Sequence, residues 1–162
     1  MQCPAAFLRS LFDTAVATAL PENCLAPWIP ERPSGRVIVV GAGKAAASMA
    51  AVLENKWQAP LEGVVVVPYG HGAKCRWVRI LEAGHPVPDA AGIEASHAVM
   101  AAVDGLTHED TVVCLLSGGG SSLLSLPAPG VTADEKRDIN KQLLRSGAAI
   151  YEINAVLSLI HI

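Results

Sequence analysis

The chain has 162 residues, enough for one domain of ordinary size, about 150 residues being the usual length per domain. Just over half of them (51%) are hydrophobic, so a core can form, and a net charge of -3 without a long basic run argues against a nucleic-acid partner. Arg9 and Asp13 break any signal-peptide core, no uncharged apolar stretch reaches the roughly 18 residues of a membrane span, and the expected location is the cytoplasm.

Leu8, Leu11, Phe12, Ala15 and Ala19 stand at helical spacing and predict an amphipathic helix over residues 5–20, ended by Pro21. Pro21, Pro27, Pro30 and Pro33 predict a loop over 21–35. Residues 36–40 form a continuous β-branched run, as in a parallel strand buried on both faces. A Gly-rich turn and a helix to about Asn55 follow. Strands are expected at 63–67, at 78–82 (more exposed because of its charges) and, fully buried, at 111–116. Asp89 is placed to cap a helix over 90–103, and Thr132–Glu135 reads as a capping box opening a helix toward Ser146. Strands alternating with helices predict a three-layer, Rossmann-like parallel α/β sheet covered by helices. Cys3, Cys24, Cys75 and Cys114 are scattered without a CxxC pair, which predicts buried or incidental thiols and no metal site.

Two turns could carry chemistry. Gly41-Ala-Gly43-Lys44-Ala-Ala46 follows a strand and opens a helix, where free N–H groups favour an anion. It partly matches a dinucleotide fingerprint, yet the second strand ends in Val67-Pro68-Tyr69, without the acid that holds a ribose. Lys44 instead adds a cation, as a phosphate site would; a turn that merely needs small residues fits the same pattern. Ser117-Gly118-Gly119-Gly120-Ser121-Ser122 also leaves a strand for a short helix, with backbone N–H groups and hydroxyls suited to an anion cradle. Both turns should open on one edge of the sheet, where ligands of open α/β folds bind. His85 and Asp89 stand in a proline-stiffened loop, Gly84 to Asp89, and His71 lies between glycines after the second strand. A structural role for His85 is equally open, Asp89 reads as a helix cap rather than a metal ligand, and spacing does not decide the role of His71.

The runs Val40–Ala46, Val65–Gly72, Ala83–Asp89, Leu116–Leu124 and Leu143–Asn154, in that order, resemble the glycerate 2-kinase family with a C-terminal MOFRL domain, whose members are often labelled hydroxypyruvate reductase. The resemblance implies ATP-dependent phosphorylation of D-glycerate at its 2-hydroxyl, with Mg²⁺, in a cleft between two domains. It implies Lys44 as the cation for a transferring phosphate or the glycerate carboxylate. Gly41, Gly43 and Ser117–Ser122 become the backbone cradle, with His71, His85 and Asp89 as further pocket residues. Residues 1–156 are then an incomplete N-terminal domain, the MOFRL domain is absent, and the chain by itself is expected to be inactive. Leu157–Ile162 resembles nothing in the family and matches one frame of a transposase-end adapter, so it is expected to be a non-native tail. An NAD(P)-dependent hydroxypyruvate reductase and a non-catalytic anion- or nucleotide-binding domain are the alternatives.

Overall fold

In the computed structural model, which describes residues 3–160, four strands, two of them rich in valine and glycine, form one parallel sheet. The strands are β1 (Val37–Gly43), β2 (Glu62–Pro68), β3 (Arg79–Ala83) and β4 (Thr111–Ser117). The helices are α1 (Pro4–Ala19), α2 (Pro21–Cys24), α3 (Ala46–Trp57), α4 (Ala90–Ala102), α5 (Ala133–Ser146) and α6 (Ile150–Leu159). Spatial order is β3-β2-β1-β4, the start of a doubly wound fold. The chain first moves from β1 outward through β2 to β3, then returns past β1 to β4. Right-handed crossovers in opposite directions place α3 and α4 on opposite faces, which makes three layers.

Period-two alternation feeds both faces. Val37, Val39, Val65, Val67 and Leu115 pack under Ala46, Ala47, Ala50 and Leu53 of α3. Ala42, Val66 and Ala83 pack with Ala95 of α4 and with Leu123. Each fully buried valine contributes about 1.5–3 kcal/mol relative to exposure. Asp89 caps α4 by accepting the Gly92 N–H at 3.0 Å, and Thr132 with Glu135 caps α5. α5 docks through Lys136, whose buried Nζ donates to the Leu126 carbonyl at 2.6 Å.

Several elements depart from the expectations. Pro21 starts the short helix α2 and Ala26–Trp28 forms a 3-10 turn, so the proline-rich segment is not all loop; proline suits a helix's first turn. β1 runs on through Gly43, because Gly41, Ala42 and Gly43 pair with Leu115, Leu116 and Ser117. The glycines therefore end a strand, and the turn proper is Lys44–Ala45. β4 is an edge strand, not a fully buried one: Val113 and Leu115 face α3, while Val112, Cys114 and Leu116 are exposed. α4 lies against β1, β2 and β3 and leaves that face of β4 open. α1 buries none of its residues, and its Phe7, Leu8, Leu11 and Phe12 are exposed. All four cysteines are free; Cys3, Cys24 and Cys114 are exposed, and burial with the nearby Glu54 carboxylate pushes the Cys75 thiol up to about 11. The tail expectation falls partly on His161 and Ile162, outside the described residues; Leu157–Leu159 belong to α6.

Between β2 and β3 there is no helix. The connection is tied down by Glu54 on α3, which is buried and accepts three consecutive backbone N–H groups: Arg76 at 2.6 Å, Trp77 at 2.9 Å and Val78 at 2.7 Å. Such a run of amides makes a nest for a carboxylate.

Candidate functional site

The reversal of strand order between β1 and β4 opens a crevice at their carboxyl ends. Both Gly-rich turns leave from there. Gly43 has a φ of 123°, a conformation side chains avoid, and a Cβ there would collide with the Ser117 carbonyl of β4. The backbones can approach this closely only at glycine. The approach lets the Ala45 N–H donate to Ser117 Oγ at 3.1 Å, so a hydroxyl of one turn satisfies an orphan amide just before α3. Lys44, between them, is exposed and forms no ion pair or hydrogen bond with the described residues.

The loop after β4 folds back on the sheet through Gly120, which sits over Ala42. Gly119 adopts a left-handed φ of 77°. The Leu123 and Leu124 N–H groups both donate to the Gly120 carbonyl at 3.0 Å, closing a single 3-10 turn. A cavity of about 380 Å³ lies along the loop from Ser117 to Ser121, with Leu116 and Leu124 as its apolar wall. A second, of about 460 Å³, lies between Ser121 and the α6 residues Asn154, Leu157 and Ser158. Ser121 lines both. Asn154 ended one of the five family-like runs, but nothing in its local pattern marked it as a cavity residue.

His85 reaches the loop from the β3–α4 connection. Its Nδ1 lies 2.6 Å from Oγ of the buried Ser122, and its ring flanks Gly119. Asp89, one turn of chain further on, is half-buried and committed twice. Oδ1 accepts the Gly92 N–H, and Oδ2 accepts the Tyr69 hydroxyl at 2.7 Å. Desolvation pushes the Asp89 carboxyl up, but the amides of Gly84, Gly92 and Asp89 itself, with the Tyr69 hydroxyl, outweigh it and hold it below the usual carboxylate range. The same bond to Asp89 raises the Tyr69 phenol. Sequence spacing singled out Asp89 as a cap and missed Tyr69 as its second partner.

The structure thus brings Gly41, Gly43, Lys44, Ser117–Ser122 and His85 to one edge, with Asp89 and Tyr69 bracing the neighbouring loops. His71 is exposed in the turn after β2, where its N–H donates to the Pro68 carbonyl at 3.0 Å; its ring makes no bond to the glycine loops. Among the described residues no group of three or more His, Cys, Asp or Glu side chains could hold a metal ion. Backbone amides, hydroxyls and one free cation can bind and orient a phosphate or carboxylate.

The chain is 51% identical over 150 residues to an Agrobacterium vitis protein provisionally named a hydroxypyruvate reductase, covering 92% of this chain and 34% of that protein. It is 43% identical over 144 residues to the D-glycerate 2-kinase of Thermotoga maritima, covering 88% of this chain and 34% of that one. A crystal structure of a Pyrococcus horikoshii OT3 protein has the same fold, with a TM-score of 0.84 at 29% identity, over 99% of this chain and 39% of that one. The chain spans about a third of the length of the curated relatives it matches. No described helix is long and apolar enough to cross a membrane. Residues 7–160 match the family described as a domain of unknown function, DUF4147, and the chain belongs to that family, the N-terminal domain of the glycerate kinase/MOFRL proteins.

Proposed function

We propose that this domain is the anion-binding part of an ATP-dependent kinase that phosphorylates D-glycerate to 2-phosphoglycerate. The observation that carries it is the meeting of Lys44 and the Ser117–Ser122 loop at the switch point, joined by the Ala45–Ser117 hydrogen bond. Phosphoryl transfer asks little covalent chemistry of the protein; it needs positioned donors and cations around the transferring group. Lys44 supplies the cation, and Gly41, Gly43 and Ser117–Ser122 let backbone and hydroxyl donors approach the oxygens. The cavity along Ser117–Ser121 gives a phosphate or carboxylate room beside these donors. Mg²⁺ enters this proposal on the ATP phosphates, which usually supply several of its ligands. His71, His85 and Asp89 belong to the proposed pocket, with Asp89 acting through its cap and its tyrosine partner. The remaining length of the relatives supplies the second wall of the cleft.

The reductase reading is less well supported. β2 ends on Pro68, followed by Tyr69, so the strand end itself supplies no acidic residue to hold a ribose, and the nearby Asp89 is already committed to Gly92 and Tyr69. Titration of the chain with ATP and, separately, with NADH divides the two. ATP binding without NADH binding is expected; the reverse would replace the kinase with a reductase.

A further inference from the structure

A loop of three consecutive glycines has almost no conformational preference of its own, and ordering each residue costs roughly 1–2 kcal/mol of backbone entropy. Something outside the loop must set its shape. Gly118 has nothing within 4 Å of where a Cβ would stand. Gly120 rests on Ala42, from below. Gly119 is flanked by one side chain, His85, whose Cε1 and Nε2 lie 3.1 Å and 3.6 Å from a Cβ built there. The same ring holds Ser122, at the loop's far end, through the 2.6 Å contact between Nδ1 and Oγ. Ser122 is only 8% exposed, so water does not readily replace that partner. His85 is itself held from behind, because its connection ends at Asp89, fixed to the start of α4 and to Tyr69.

We propose that His85 is the positioning residue of the glycine loop: its Nδ1 accepts a hydrogen bond from the Ser122 hydroxyl, and its Cε1–Nε2 edge braces Gly119 in the left-handed conformation. A neutral imidazole has one donor and one acceptor, so this hydrogen bond leaves the ring proton on Nε2. The ring thereby clamps the loop at Gly119 and at Ser122, and the amides between Gly118 and Ser121 stay in one arrangement. The inference deepens the kinase proposal, since it rests on that loop being the anion cradle.

Two substitutions separate the Nδ1 contact from the rest of the ring. In His85→Asn the amide occupies the place of Nδ1 and can still accept from Ser122; in His85→Gln the amide reaches the place of Nε2 and Nδ1 is lost. The experiment is nitrogen-15 NMR on the full 162-residue chain without ligand. Expected in the unsubstituted chain are a ring proton on Nε2 of His85 and order parameters for Gly118–Gly120 near 0.85, the value of about a rigid backbone. His85→Asn, which keeps an acceptor for Ser122 but lacks the Cε1–Nε2 edge, should loosen Gly119 and leave the other order parameters unchanged. His85→Gln and Ser122→Ala should lower them below about 0.6 while sheet resonances of β1 and β2 stay in place. A ring proton on Nδ1, or loop order parameters unchanged in both His85→Gln and Ser122→Ala, would overturn the proposal. None of these readouts involves ATP, so a failure of ATP binding strikes the kinase proposal and leaves this one to stand or fall by the loop.

Discussion

At the scale of single residues, exposure and partners separate binding groups from structural ones. Lys44 is exposed and unpaired among the described residues, so Lys44→Met should change folding stability by no more than about 0.5 kcal/mol. A charge-assisted contact to phosphate is worth roughly 1.5–3 kcal/mol, so the same change should raise the dissociation constant for ATP about tenfold or more. Calorimetric titration with a parallel melting curve checks both halves; an unchanged affinity would return Lys44 to the solvent. Glu54 is the opposite case. It is buried, and its two oxygens satisfy Arg76, Trp77 and Val78. Leaving a buried donor unmet costs about 1–3 kcal/mol, so Glu54→Ala should destabilise by about 3 kcal/mol or more in urea unfolding. Glu54→Gln should cost less, because its oxygen can still serve Trp77 and Val78. Asp89 adds a pH dependence. Its folded carboxyl titrates below the usual range, so its contribution is present above the unfolded value and is lost as pH falls through the folded one. Asp89→Asn keeps a capping oxygen but should flatten the acid side of a stability–pH curve; a curve as steep as before would mean that other carboxylates set it.

Elements meet where side chains are smallest. Gly43 and Ser117 are register partners in β1 and β4, and no side chain fits between them. Gly43→Ala should therefore cost at least about 2 kcal/mol, from strain at a positive φ and from parting the strand ends. Gly118→Ala, with open space around it and no positive φ, should stay within about 0.5 kcal/mol. Chemical denaturation of the two variants side by side measures the contrast; equal losses would deny the strand ends their role. The exposed outer face of β4 has a comparable origin. α4 is one helix laid across β1, β2 and β3, and a helix about 10 Å wide cannot also cover a fourth strand.

For the molecule as a whole, the apolar surfaces of α1, β4 and α6 remain open: Leu8, Phe12, Leu116 and Leu159 are all more than 60% exposed. Exposed large apolar side chains in such number favour association. Phosphoryl transfer also needs both substrates held in line in a closed cleft, and the cavities here open widely past Ser121. Purified by itself, the chain should show no D-glycerate-dependent ADP release and should aggregate as concentration rises. Assay beside the Thermotoga maritima D-glycerate 2-kinase decides this: turnover within about tenfold of that enzyme would show that the rest of the relatives' length is dispensable for catalysis.

Local chemistry in the sequence specifies the strands and the capped helices. The valine runs at 37–40 and 64–67 suit buried strands, Asp89 and Thr132 announce their helices, and the glycine-rich stretches that end β1 and follow β4 fall on one sheet edge. These signals are local, because periodicity and capping act within a few residues. Contacts between distant segments were decided only by the tertiary structure. The order β3-β2-β1-β4 made Gly43 a neighbour of Ser117 and turned β4 into an edge strand that its apolar composition had hidden. Packing gave Glu54 its amide nest, Asp89 its tyrosine and Ser122 its histidine, partners that no residue's own stretch of sequence contains. The physical reason is the same throughout: a strand or cap is selected by its neighbours in the chain, whereas a buried polar partner is selected by register and crossover direction, which no short window of sequence contains.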